Sequence, residues 1–221
     1  KDSLPTIVSL TLSGMYSVVD GLFIGKATGD TGLAAINIAW PITAVITALG
    51  AGLGAGGSVL VAHFRGQGKQ KEGEQITNNT VTLLVVSGVV ITVFLLGCYT
   101  GILKFLGAQN AVYQEAKKYS QIIIWGSVFQ IMGNGMLPVL RNLDMAMAAM
   151  ASMITGLMAN VGINYYLLFE KGLGIRGAAY GTVAAQGIVA CIGIVLLRRK
   201  QKIKLYLEKK VTYQTIKTGI T

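Results

Sequence analysis

An aspartate inside an apolar run is the first residue that could do chemistry. Asp20 stands in MYSVVDGLFIG, and it is the only acid within any of six long apolar stretches. Placing a carboxylate in hydrocarbon costs several kcal/mol, so such a group usually faces a polar interior and works there, and burial lets it take up and release a proton. An acid close to the membrane edge would instead reach up to water, and the late position of Asp20 in its run leaves that reading open. Tyr16 lies four residues earlier, on the same helical face. Its hydroxyl could meet the carboxylate or a substrate, or the ring could simply pack.

Neutral polar residues recur in pairs four apart. Asn160 and Asn164 lie in ANVGINYYLLF, Thr182 and Gln186 in GAAYGTVAAQG, and Gln130 and Asn134 follow Trp125 and Phe129. Each pair shares one helix face. In a membrane such groups bind ions, water or substrate, or they tie helices together at about 1 kcal/mol each. With Asp20 they could make one polar pocket. The glycine run GAGLGAGG (50–57) lacks the Gly-Lys-Ser/Thr ending of a phosphate loop and has no strand before it. At helical spacing it reads as close backbone packing that permits sliding or bending. No catalytic triad or zinc motif is present, and there is one histidine, His63. Cys98 and Cys191 each fall in an apolar run and read as small packing residues.

The elements that must position these residues follow from composition. Of 221 residues, 52% are hydrophobic and 13% charged, and mean hydropathy is +0.59. A soluble domain carries roughly 25% charged residues. This excludes a disordered chain, a nucleic-acid module and a disulfide scaffold. Six stretches approach or exceed the roughly 20 residues that a span needs: Leu4–Ile24, Leu33–Ala62, Ile76–Tyr99, Tyr119–Leu140, Ala149–Phe169 and Ile175–Leu197. They are too long and too little alternating for barrel strands. The expected fold is an all-α integral membrane protein, a six-helix transmembrane bundle. Its connections are short and polar: Lys26–Gly32, Arg65–Gln75, Gly101–Lys118, Arg141–Asp144 and Glu170–Gly174.

The net charge of +10 is concentrated rather than spread, with eight of 19 basic residues after Leu197. A juxtamembrane basic tail near anionic lipid head groups explains it better than nucleic acid. Thirteen Lys and Arg fall on the side of the two chain ends and six on the other. Basic residues are retained in the cytoplasm, so both ends are expected there. The first residue is Lys, which suggests a trimmed or partial sequence. The closing VTYQTIKTGIT reads either as a frayed end or as the start of a seventh helix.

Three segments in order resemble the multidrug and toxic compound extrusion (MATE) family of cation-coupled exporters. They are YSVVDGLFIGKATGDTGLAAINIAWP, GAGGSVLVAHFRGQGKQKEGEQ and VLRNLDMAMAAMASMITGLMANVGINYYLLFEKGLGIRGAAYGTVAAQ. The resemblance implies a twelve-helix fold in two lobes around a cavity. Residues 1–200 would form the amino-terminal lobe, and residues 201–221 a basic cytoplasmic linker and the start of the second lobe. It implies that Asp20, Asn160 and Thr182 couple transport to protons or sodium. Asn164 stands where the family's prokaryotic branch has a second acid, a departure that favours protons over sodium. Tyr16, Gln130, Asn134 and Gln186 are then candidates for substrate contact. The implied activity is antiport of amphipathic, often cationic drugs across the inner cell membrane, with no enzyme chemistry and no cofactor beyond H+ or Na+. The implied partners are drugs, membrane lipids, and the missing second lobe or a second copy of the chain. The alternatives are a lipid-linked oligosaccharide flippase of the same superfamily and a non-transporting half-transporter subunit. A flippase cavity should carry several Arg or Lys within the spans, and that set is not seen.

Overall fold

The structure is a computed structural model that describes the backbone of residues 3–200 and 208–220, and the side chains of residues 21–200, 208 and 211–219. The Asp20 and Tyr16 side chains therefore lie outside the described residues. Among the described residues the regular elements are all helical. They are α1 (Ser3–Gly66), α2 (Gln70–Phe105), α3 (Asn110–Trp125), α4 (Ser127–Asn142), α5 (Ala146–Tyr165) with a π-turn over Tyr166–Glu170, α6 (Ile175–Lys200) and α7 (Lys209–Ile220). Gly21–Gly66, Gln70–Phe105, Ala146–Glu170 and Ile175–Lys200 are each long and apolar enough to cross a membrane, and α3 with α4 makes a fifth candidate if read as one bent span. Most of the expected first span, Leu4–Ile24, lies outside the described side chains.

The expected connections shrink in the structure. Lys26–Gly32 is not an extended loop. Helix geometry runs through it except at Gly29, whose φ of 64° and ψ of −165° break α1 in two. A side chain would resist that backbone, so a glycine makes the turn in a single residue. The gap between α1 and α2 is only residues 67–69, and α2 continues to Phe105. At 36 residues and about 1.5 Å per residue, α2 is about 54 Å long. It therefore projects well past a hydrocarbon layer of about 30 Å.

The glycine run is a packing device with three faces. A Cβ at Gly50 would sit 2.9 Å from Ile131 Cα, and one at Gly54 would sit 2.6 Å from Gly135 Cα, so these two close α1 onto α4. A Cβ at Gly56 would sit 2.9 Å from Gly219 Cα on α7, and one at Gly57 would sit 2.8 Å from Thr80 Cβ on α2. Helical spacing of the glycines lets three neighbours approach one segment at backbone distance. The segment after the basic tail is thus a docked helix. Asn79 on α2 is fully buried and holds its start: Asn79 Oδ1 accepts the Glu208 backbone N–H at 2.8 Å, and Asn79 Nδ2 donates to Thr212 Oγ1 at 3.3 Å. Lys200, at the end of α6, donates to the Leu143 carbonyl that closes α4.

The fourth expected span is not straight. It is broken at Gly126 into α3 and α4, which meet at a bend of 59°. A break exposes carbonyls that hydrocarbon cannot satisfy, and here three sources satisfy them. Gly126 N–H donates to the Ile122 carbonyl at 3.0 Å, Gln130 Nε2 to the Ile123 carbonyl at 3.0 Å, and Thr92 Oγ1 to the Ile124 carbonyl at 3.4 Å. Thr92 and Ser127 also share a hydroxyl hydrogen bond of 2.5 Å that ties α2 to the bend.

Candidate functional site

A cavity of about 510 Å³ opens between α1 and the α3–α6 hairpins. Its size lies within the range of about 300–1,000 Å³ typical of small-molecule sites. Each wall is one helical face. From α5 come Met153, Gly156, Leu157 and Asn160, and from α6 Thr182, Ala185, Gln186 and Val189. Both sets follow the i, i+3, i+4, i+7 spacing that keeps side chains on one side of a helix. Gln130, Asn134 and Leu137 line it from α4, and Tyr119 from α3. The longest wall is α1, with Gly21 and Ile24 before the break and Leu33, Ile36, Asn37, Trp40, Thr43 and Thr47 after it.

The cavity therefore brings together five of the eight candidate residues: Gln130, Asn134, Asn160, Thr182 and Gln186. Asn164 is not on the wall. It is buried one turn beyond Asn160 and donates from Nδ2 to Asn160 Oδ1 at 3.0 Å. That bond uses the oxygen of Asn160 and leaves its amide nitrogen buried without a hydrogen-bond partner among the described residues. An unpaired buried donor costs about 1–3 kcal/mol, so among the described residues Asn160 is the amide on this wall with a donor left to give. Asp20 directly precedes Gly21, which lines the same cavity from α1.

The other amides differ from Asn160. Gln130 Nε2 is engaged by the Ile123 carbonyl, and Asn134 Nδ2 by the Gln130 carbonyl at 2.8 Å. Gln130 is 2% exposed, so its amide group serves the bend as much as the cavity. Gln186 lies against α4 where Gly133 leaves room; a Cβ there would stand 3.0 Å from the Gln186 carbonyl oxygen.

Sequence reasoning missed the α1 wall. Asn37, Trp40, Thr43 and Thr47 lie in one long apolar run, and their spacing of three, three and four residues was the available signal. Among the described residues no charged side chain lines the cavity. Its chemistry is that of amides, hydroxyls, an indole and aliphatic surface, suited to an amphipathic molecule with few polar groups.

Comparison with known proteins agrees with this architecture. The chain is 24% identical over 200 residues to the multidrug export protein MepA of Staphylococcus haemolyticus, covering 90% of this chain and 44% of that one. It is 24% identical over 213 residues to the probable multidrug resistance protein YoeA of Bacillus subtilis, covering 94% and 46%. The chain thus spans about half the length of the curated relatives it matches. A solved multidrug resistance MATE family transporter of the MOP superfamily, in an outward-facing conformation, shares the fold with a TM-score of 0.91 at 23% identity, over 99% of this chain and 50% of that one. The family profile described as MatE matches residues 5–166, and this multi-pass membrane chain belongs to that family.

Proposed function

We propose that this chain forms one lobe of a proton-coupled antiporter that exports amphipathic, often cationic drugs. The observation that carries the proposal is the cavity wall around Asn160, whose buried amide donor has no hydrogen-bond partner among the described residues, on a cavity that Thr182 also lines and one turn from Asn164. A carboxylate is the natural acceptor for such a donor, and Asp20 stands next to the cavity-lining Gly21. Asp20 carries the proton, Asn160 and Thr182 bind its charged form, and Asn164 holds Asn160 in register. A single carboxylate with amide neighbours suits one proton. Sodium prefers several oxygen ligands with compensating charge.

Proton binding on the cavity wall biases the lobe between outward- and inward-open states by its differential affinity for the two. A charged Asp20 favours a cationic drug, and protonation favours its release. Residues 1–200 act as the transmembrane lobe, and 201–221 as a basic linker leading to a second lobe or a second copy. Both ends face the cytoplasm of a cell membrane, where the basic tail meets anionic lipid.

The test is drug uptake by inverted proteoliposomes of the intact protein under an imposed proton gradient or an imposed sodium gradient. The proton gradient is expected to drive uptake and the sodium gradient is not. Asn160→Ala is expected to reduce proton-driven uptake at least about tenfold, equivalent to about 1.4 kcal/mol, at unchanged protein yield. Uptake driven by sodium alone, or full uptake by Asn160→Ala, contradicts the proposal.

A further inference from the structure

The α1 wall of the cavity carries a tryptophan and an asparagine close to a proline within the helix. Helix α1 continues through Pro41. Proline has no N–H, so the carbonyl four residues earlier, on Asn37, lacks its helical donor, and the ring crowds that carbonyl aside. Asn37 and its neighbour Trp40 both line the cavity. Trp40 keeps 65% of its surface exposed, so its ring face is open to a bound molecule. Two wall residues three apart on α1 thus supply a backbone carbonyl without its helical donor and an exposed aromatic ring.

We propose that Trp40 and the Asn37 carbonyl released by Pro41 form a subsite for an organic cation. The ring attracts positive charge through its quadrupole, and the carbonyl accepts an N–H from an amine. A quaternary cation uses the ring alone, whereas a cation bearing N–H groups uses both. The subsite lies on a different wall from Asn160 and Thr182, and it is built from groups other than Asp20. The proposal rests on reading the cavity as a drug site. It requires no transport, because binding is measured without a gradient.

The experiment is equilibrium binding to the intact, detergent-solubilised protein with three probes: ethidium, which carries N–H groups; tetraphenylphosphonium, which has none; and neutral Nile red. Trp40→Leu is expected to weaken both cations about tenfold and Nile red by less than about twofold. Pro41→Ala restores the N–H that engages the Asn37 carbonyl, so it is expected to weaken ethidium about threefold to tenfold and leave tetraphenylphosphonium unchanged. Trp40→Phe keeps an aromatic face and guards against misfolding of the leucine variant. It is expected to weaken the cations by about threefold at most and Nile red not at all. Equal weakening of all three probes by either Trp40 variant overturns the subsite and makes Trp40 an apolar packing group. Equal weakening of both cations by Pro41→Ala, or no cation binding by the unaltered protein, also overturns it.

Discussion

The two halves of α1 after its break do opposite things with the same helix. From Leu33 to Thr47 it carries Asn37, Trp40, Thr43 and Thr47 along a cavity wall. From Gly50 to Gly57 it carries glycines that bring α4, α7 and α2 to backbone distance. The first half leaves space and the second removes it. The cavity is bounded along α1 because, from Gly50 onward, glycines stand on the faces turned to α4, α7 and α2, so these helices close in.

Substitutions on the two halves sharpen the contrast. The largest effect is expected from Gly54→Val. Its Cβ would stand 2.6 Å from the Cα of Gly135, and backbone cannot yield as a side chain can. We expect a loss of several kcal/mol and little monodisperse protein on size exclusion. A variant that purifies normally with an unchanged melting midpoint would break the contrast. Gln130→Leu should come next. It removes the donor to the Ile123 carbonyl at the Gly126 bend, and an orphaned buried acceptor costs about 1–3 kcal/mol. Thermal unfolding should show that loss, whereas an unchanged midpoint would mean the bend does not depend on the amide. Thr47→Val, on the open half, is expected to change stability by no more than about 0.5 kcal/mol. A large loss there would show that the open half is packed like the closed one.

Much of the fold is legible as apolar runs, because length and charge scarcity are local properties. The bend at Gly126 is not. Trp125-Gly126-Ser127 continues an apolar run, and the groups that stabilise the break include Thr92 on another helix. The single-residue turn at Gly29 is hidden for the opposite reason, since its polar flanks suggest a longer loop than the helix uses. Within the site, the amides of α4, α5 and α6 stand out as polar pairs in apolar surroundings. Asn37, Trp40, Thr43 and Thr47 are scattered singly through a run notable only for its length. The difference between Asn160 and Gln130 is also invisible in sequence. Both are amides at helical spacing, and only tertiary geometry shows that the Gln130 nitrogen is engaged while that of Asn160 has no partner among the described residues.

In the proposed antiport, Asp20 exchanges a proton against drug. The direct measurement is the number of protons released into weakly buffered solution when ethidium is added to the intact, detergent-solubilised protein. About one proton per protein molecule is predicted for the unaltered chain, falling to none in Asp20→Asn while ethidium still binds. Ethidium binding without proton release in the unaltered protein, or equal release in the two proteins, would contradict it.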